Sequence, residues 1–436
     1  MLLRLRDGFL RDVLIINQQI NHLLSTNTTL SNLNEQERRY TMNKEHVDLF
    51  ILQDSLEGGG AQRIGLELAS SLPDSIKRML IVIKGTSTPK YIEEENITIK
   101  YLSPPRKYRN YAFITFPAVI IRYIHQLLHN RPRVVLSIVP LDNIINITFS
   151  RLFKYKALIS AHGMRSYAIT SYSIITRILV NLEQFLLKHT SAELIAVSYA
   201  VKKDIEDRFN IPCEKIHVIH NPLNIERIVP LSLEPVTDIQ FNVPTIITVG
   251  RLHAVKSQWH LIRAFAEFRK NNPSQLLICG EGEEMSYLLD LVKNLEIEDS
   301  VMFLGWKDNP YKYMSKSSVF VQSSLSEALP NVLVEAMACG CPVVAAGCSD
   351  GISEILGSDG SCGIVTKKMS EVRHLPTEPL DEGEISLLEG MEEVLLNSER
   401  RNAMAIQCIE RAKMFDVDVG IQKYVQIINA VDKYRH

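Results

Sequence analysis

Long apolar runs, paired cysteines, a dinucleotide fingerprint and a large net charge are all missing from this chain of 436 residues. No apolar run reaches the ~18–20 residues needed to span a bilayer. The nearest, residues 111–128, is interrupted by Pro117, Arg122 and His125. Seven cysteines are an odd number without zinc-type pairing, which argues against a disulfide framework and a structural metal and for a reducing cytoplasm. Cys339 and Cys341, the nearest approach to a metal pair, fall where a helix turns into a strand and read as buried thiols. Gly280 and Gly282 form only Gly-x-Gly, with Met285 in place of a third glycine, which disfavours a nicotinamide-dependent dehydrogenase. No nucleic-acid-binding motif is present, which argues against nucleic acid as a partner.

The net charge of −2 hides an uneven distribution. Between Tyr101 and Thr190 stand twelve Lys/Arg, from Arg106 to Lys188, against only Asp142 and Glu183. That block carries +10 and the remainder −12. Such a block favours an anionic partner, a membrane surface or a phosphorylated acceptor, over cations that share no face.

With 46% hydrophobic residues, the chain has enough apolar surface for two cores, and its length favours two domains. Short β-branched runs alternate with amphipathic segments of helical length. Strands are expected at 47–52, 79–83, 134–138, 157–160 and 194–197, and again at 245–249, 276–279, 301–304, 319–322 and 343–345. This is β-α-β text twice over, so the fold class is α/β with two Rossmann-like, doubly wound parallel sheets. Residues 1–42 read as a flexible or amphipathic leader, 43–228 as the first domain, 229–415 as the second (with a polar, Pro-bearing linker at 229–244), and 416–436 as a C-terminal helix. Ligands of such sheets bind beyond the strand C-termini, where the winding reverses. The residues just after each strand are therefore the candidates for chemistry.

Glu327 and Glu335 stand eight positions apart, either side of a loop and a helix start at Pro330 or Asn331. A loop leading into a helix N-terminus converges unpaired backbone N–H groups on an anion. Acids on both sides of such a site suit sugar hydroxyls flanking a diphosphate better than phosphate alone. After the strand at 245–249, Gly250 allows close backbone approach, while Arg251 and Lys256 bring two cations suited to a departing diphosphate. Ser257 follows as a candidate helix N-cap. Gly280 and Gly282 form either a turn beneath a ligand or a plain strand-to-helix turn. Trp306, after the strand at 301–304, is a packing or a stacking residue. Gly58, Gly59 and Gly60 open another close-approach loop. His162 follows the strand at 157–160. Asp416 and Asp418 look like a metal-binding Asp-x-Asp, but they precede a helix and read as N-terminal charge complementation. No metal ligand and no cofactor are expected.

The run from Ser326 to Ala345 resembles the Glu-x7-Glu signature of the family-4 retaining glycosyltransferases. The Gly250–Ser257 segment is similar to that family's Gly-Arg-Leu-x-x-x-Lys-Gly motif, with Ser257 replacing the final glycine. Ala328, Leu329 and Pro330 stand where the family has Gly-Phe-Pro or Gly-Phe-Gly, and Gln62 occupies an acidic position. The resemblance covers residues 43–434. It implies two Rossmann-like domains facing across a cleft, the first for acceptor and the second for nucleotide sugar. Glu327 would contact the donor sugar and Glu335 the ribose. Arg251 and Lys256 would clamp the diphosphate, and His162 would donate a hydrogen bond at the reaction centre. Backbone at Gly59, Gly60, Gly250, Gly280, Gly282, Ala328, Leu329, Pro330 and Asn331 would line the donor, with Trp306 near the base.

The function expected is retaining transfer of a hexose or N-acetylhexosamine from a nucleoside-diphosphate sugar, UDP favoured. The acceptor would be a sugar hydroxyl of a lipid-linked oligosaccharide in surface-polysaccharide assembly, at the inner face of the cytoplasmic membrane. Peripheral contact with the anionic bilayer surface is expected, and no sequence feature specifies an oligomeric state. Two rivals stand beside this reading: a sugar-nucleotide 2-epimerase on the same architecture, and a non-catalytic sugar-nucleotide or membrane-binding module.

Overall fold

A computed structural model of the chain describes residues 47–56, 60–85, 97–103, 112–171 and 173–430. The leader at 1–42, Gly58, Gly59, the cations Arg106, Lys107 and Arg109, and residues 431–436 lie outside the described residues.

The first sheet has seven strands, β1 (Leu49–Gln53), β2 (Arg78–Val82), β3 (Thr98–Tyr101), β4 (Val134–Ser137), β5 (Lys156–Ala161), β6 (Glu193–Ala196) and β7 (Ile216–Val218), in the order β3-β2-β1-β4-β5-β6-β7. Its helices are α1 (Gly60–Ser71), α2 (Ala112–Asn130), α3 (Pro140–Phe153), α4 (Arg165–Ser171), α5 (Ile174–His189) and α6 (Tyr199–Phe209). A short helix, α7 (Ile225–Ser232), leads to the second sheet. That sheet holds β8 (Thr245–Val249), β9 (Gln275–Cys279), β10 (Val301–Gly305), β11 (Val319–Gln322), β12 (Val343–Ala346) and β13 (Gly363–Thr366), in the order β10-β9-β8-β11-β12-β13. Its helices are α8 (Gln258–Arg269), α9 (Met285–Asn294), α10 (Tyr311–Met314), α11 (Asn331–Ala338), α12 (Asp350–Leu356), α13 (Glu382–Leu395) and α14 (Ser398–Ala412), followed by α15 (Val417–Ala430).

Every ladder of the second sheet is parallel. Its order is that of a doubly wound fold, with the winding reversing between β8 and β11. The central strands β1, β4, β11 and β12 are buried along their whole length, as expected where helices cover both faces of a parallel sheet. Hydrophobic runs without alternation, such as Leu49-Phe50-Ile51-Leu52 and Val319-Phe320-Val321, follow from that double burial. Local capping fixes several helix starts. Pro140 takes the first position of α3, Ser198 caps α6, and Asp381 and Glu384 form a reciprocal capping box at α13.

The chain divides into two compact units. One runs up to Ser160 and adds Phe185–Leu194 and the chain from Val425 onward; the other holds Ala161–Gln184 and Ile195–Tyr424. Part of the expected linker at 229–244 is helical, because Asn224 accepts from the Arg227 amide and starts α7, which tolerates Pro230 near its end. Among the described residues no helix is long and apolar enough to cross a membrane.

Candidate active site

The loops that leave β8, β9 and β10 are joined through their backbones. The amide of Gly250 donates to the Cys279 carbonyl, that of Gly280 to Gly305, that of Leu252 to Glu281, and that of Glu284 back to Leu252. Such packing needs glycine. A Cβ on Gly280 would sit 1.9 Å from the Gly250 carbonyl oxygen, and one on Gly282 would sit 2.2 Å from that of Leu252. Gly280 and Gly282 thus have a structural task, the close docking of one strand-end loop on the next.

At the reversal of winding, the loops after β8 and β11 are sewn together. Leu325 N–H donates to the Val255 carbonyl. The hydroxyl of Ser257 donates to the Ser323 carbonyl, and that of Ser323 to the Ser257 carbonyl. Ser257 was expected to cap α8, and this is corrected. Its φ is +40°, in the left-handed region, and its side chain makes no cap bond because the hydroxyl is committed to Ser323. The left-handed conformation also accounts for the glycine the resemblance places here.

This stitching brings Lys256 to Glu327. Lys256 Nζ lies 2.5 Å from Glu327 Oε1, and that oxygen also accepts from Ser324 Oγ at 2.7 Å and Gln322 Nε2 at 3.3 Å. Both side chains are only partly accessible. Arg251 is exposed, and its carbonyl accepts from Gln258 Nε2. Glu335 is buried on α11, within 3.4 Å of the Tyr311 hydroxyl. Ala328, Leu329 and Pro330 are buried, and α11 starts at Asn331 as expected. Trp306 is 62% exposed, so it is not a core packing residue. Its amide donates to Glu281 Oε1 and its indole N–H to Asp308.

His162 follows β5. Burial, and after it the Arg165 guanidinium, pushes its imidazole from the ordinary 6.5 down to about 3, so it is neutral at physiological pH. Gly60 opens α1, and Gly59 lies outside the described residues.

Three supports of the Glu327 loop carried no sequence signal. Ser198, besides capping α6, donates to the Ala328 carbonyl at 3.0 Å. Gly351 lies so close that a Cβ there would meet the same carbonyl oxygen at 2.2 Å. Glu354 accepts from the amides of Tyr199 and Ala200. Burial raises its pKa, but His220 and those two amides outweigh this and hold the carboxyl below its usual range. Each contact joins residues more than twenty positions apart, so no local pattern announces it.

Among the described residues one group has metal-ligand spacing, His260, Asp381 and Glu384. Protein partners occupy it. His260 Nδ1 faces Glu384 and Nε2 faces the Ser370 carbonyl, so both ring nitrogens already have protein partners. Arg263 donates to Glu384, to Leu375 and to the carbonyls of Glu378 and Pro379. Asp416 precedes α15, with burial raising its carboxyl and the Val417 and Asp418 amides opposing that rise. Burial also pushes the thiols of Cys339 and Cys341 up, which fits packing rather than ligation.

Residues 234–375 match the family described as glycosyl transferases group 1, and residues 58–227 match glycosyltransferase family 4. An uncharacterized glycosyltransferase of Methanocaldococcus jannaschii is 30% identical over 287 residues, which is 61% of this chain and 70% of that one. The N-acetylgalactosamine-N,N'-diacetylbacillosaminyl-diphospho-undecaprenol 4-alpha-N-acetylgalactosaminyltransferase of Campylobacter jejuni is 28% identical over 383 residues, 85% of this chain and 96% of that one. Among solved structures, HepE of Anabaena in complex with UDP and glucose aligns with a TM-score of 0.72 at 19% identity, over 88% of this chain and 100% of that one. That likeness establishes the shared fold.

Proposed function

We propose, for a chain that belongs to the family-4 glycosyltransferases, retaining transfer of a hexose or N-acetylhexosamine from a UDP-sugar to a hydroxyl of a lipid-linked oligosaccharide. The observation that carries the proposal is the meeting of Lys256 and Glu327 where the second sheet reverses its winding. That crevice is where doubly wound sheets bind nucleotides. A cation and a carboxylate held there by backbone stitching suit the two halves of a nucleotide sugar. The donor diphosphate would replace Glu327 as the partner of Lys256, which frees Glu327 to accept hydrogen bonds from the sugar hydroxyls. Arg251 adds a second cation from the same loop, Glu335 grips the ribose, and Trp306 presents an exposed indole near the base.

Chemistry follows from charge development. As the glycosidic bond lengthens, negative charge grows on the departing diphosphate, and preorganised cations and amides stabilise that state more than the ground state. Lys256, Arg251 and the N-terminus of α11 supply this stabilisation, so no metal is required. No residue is a compelling covalent nucleophile, so the acceptor hydroxyl attacks on the face the diphosphate leaves, and a donor phosphate oxygen takes its proton. Neutral His162 donates its N–H at the reaction centre. The Campylobacter relative, named for a diphospho-undecaprenol saccharide acceptor, supports a lipid-linked acceptor. Action at the inner face of the cytoplasmic membrane is part of the same proposal. An amylovoran biosynthesis glycosyltransferase of Erwinia amylovora, 25% identical over 317 residues, and a lipopolysaccharide core biosynthesis glycosyltransferase of Rhizobium meliloti, 34% identical over 131 residues, support surface-polysaccharide assembly.

The test is a panel of radiolabelled nucleotide sugars incubated with protein and membrane lipid extract, with and without chelator. Chelator-insensitive labelling of lipid by one UDP-sugar is the expected result. Loss of labelling on chelation would remove the metal-free mechanism. Conversion of UDP-N-acetylglucosamine without any acceptor would establish the 2-epimerase instead.

A further inference from the structure

The three donors around Glu327 all converge on one of its oxygens. Lys256 Nζ, Ser324 Oγ and Gln322 Nε2 reach Oε1 at 2.5, 2.7 and 3.3 Å, and among the described residues none reaches Oε2. The donors differ in what else they can do. Lysine is a cation on a flexible stem, and in the proposed reaction it passes to the diphosphate. Ser324 and Gln322 are neutral and buried, 1% and 5% exposed, so an arriving anion does not draw them off the carboxylate.

Both are also held on rigid frame. Gln322 is the last residue of β11. The neighbour of Ser324, Ser323, is stitched to Ser257 beside Lys256. Gln322 carries a further mark. Its Oε1 is buried and has no hydrogen-bond partner. A buried orphan carbonyl is costly, and an apolar side chain of the same length would fill the strand end without that cost. The opposite amide orientation would set this oxygen against the Glu327 carboxylate. The amide is therefore explained by the N–H it directs at Glu327.

We propose that Ser324 and Gln322 are positioning residues that act through Glu327. They pin Oε1, which aims Oε2 at a hydroxyl of the donor sugar, and they keep that aim after Lys256 has passed to the diphosphate. The inference rests on the reading of Glu327 as the residue that accepts from the donor sugar. It divides the cluster by ligand part: Lys256 answers to the diphosphate, whereas Ser324 and Gln322 serve the sugar alone. Bare UDP needs only the first, and a UDP-sugar needs both. A fixed acceptor also selects among sugars, since a donor without a hydroxyl at that point leaves Oε2 unpaired.

The test is calorimetric titration of the full-length chain with UDP and with UDP-glucose, UDP-galactose and their two N-acetylhexosamine counterparts. Ser324→Ala and Gln322→Met bind UDP as the wild type does. Each weakens the UDP-sugar that the wild type binds most tightly by about tenfold, the value of roughly one hydrogen bond to a charged group. With one of the 3-, 4- and 6-deoxy analogues of that UDP-sugar the loss vanishes, because the hydroxyl that Oε2 serves is gone. Gln322→Glu, measured against the wild type at each pH, recovers UDP-sugar binding as pH falls, since a protonated carboxyl donates where the amide did. Gln322→Met stays weak throughout. If Gln322→Met does not fold, Ser324→Ala, which removes one hydroxyl, carries the test. Equal losses for UDP and UDP-sugar would make the two residues plain supports of the loop and overturn the proposal. So would unchanged UDP-sugar affinity, or a loss that persists with all three deoxy analogues. Where Glu327→Ala still weakens the UDP-sugar, those results remove the positioning role alone. Where Glu327→Ala binds the UDP-sugar as the wild type does, or no UDP-sugar binds the wild type, the reading of Glu327 falls and the positioning role with it.

Discussion

Lys256 and His162 carry the sharpest consequences at the scale of single residues. Lys256 faces the Glu327 carboxylate, so its ammonium is held in place at the crevice. Lys256→Met should lower kcat/KM for transfer by about 10²–10³, the usual cost of removing one preorganised charge-stabilising donor, with the thermal midpoint little changed. Steady-state kinetics checks this, and an unaltered kcat/KM would remove Lys256 from the mechanism. His162 is depressed to about 3 from 6.5, by burial first and Arg165 second. The unfolded chain therefore binds one more proton at this position between those values. Stability that is full above 6.5 is lost as pH falls towards about 3. His162→Gln should flatten part of that acid decline in denaturant titrations, and a wild-type pH–rate profile should show no ionisation of His162 near neutrality.

At the scale of elements, the strand-end loops and the knot around Glu384 decide whether the site exists at all. Gly280→Ala drives a methyl group into the Gly250 carbonyl at 1.9 Å. It should cost about 1–3 kcal/mol or more, read as a lower urea midpoint, because the atoms it meets are all Gly250 backbone and cannot rotate away. Glu384 is fully buried and holds His260 and Arg263. Burial raises its carboxyl, but those hydrogen bonds outweigh burial and keep it below 4.5. Its contribution is thus full above 4.5 and fades as pH falls through the lower folded value. Glu384→Gln leaves Arg263 without its counter-charge and should destabilise by about 3–5 kcal/mol. Much at this scale was legible beforehand. The strands at 245–249 and 319–322 are found where the β-branched runs put them, and α11 starts at Asn331. The short edge strand β3 was not, because Thr98-Ile99-Lys100-Tyr101 is half polar and has little burial to impose a pattern. Ser257 misled for a related reason: a serine before a helix usually caps it, but a long-range bond to Ser323 claimed the hydroxyl.

For the whole molecule, the doubly wound order of the second sheet gathers residues from distant segments onto one crevice. Glu327 and Glu335 stood out as candidates in the sequence because they share a short segment with a strong turn-and-helix grammar. Ser198, Gly351 and Glu354 were not, since their roles arise only when segments more than a hundred residues apart, or opposite walls of one loop, come together. The basic block was visible as a count, but its meaning changed once Asp142 and Glu183 proved buried and Arg165 proved paired. The central claim is that the cations and amides of this crevice hold a nucleoside diphosphate without help from a metal. Calorimetric titration with UDP in excess chelator tests it most directly. The account predicts that the wild-type chain binds UDP under these conditions, and that Lys256→Met weakens binding by about tenfold or more, the value of roughly one charge-assisted hydrogen bond. Binding that vanishes with chelator, or that is equally tight in Lys256→Met, would contradict it.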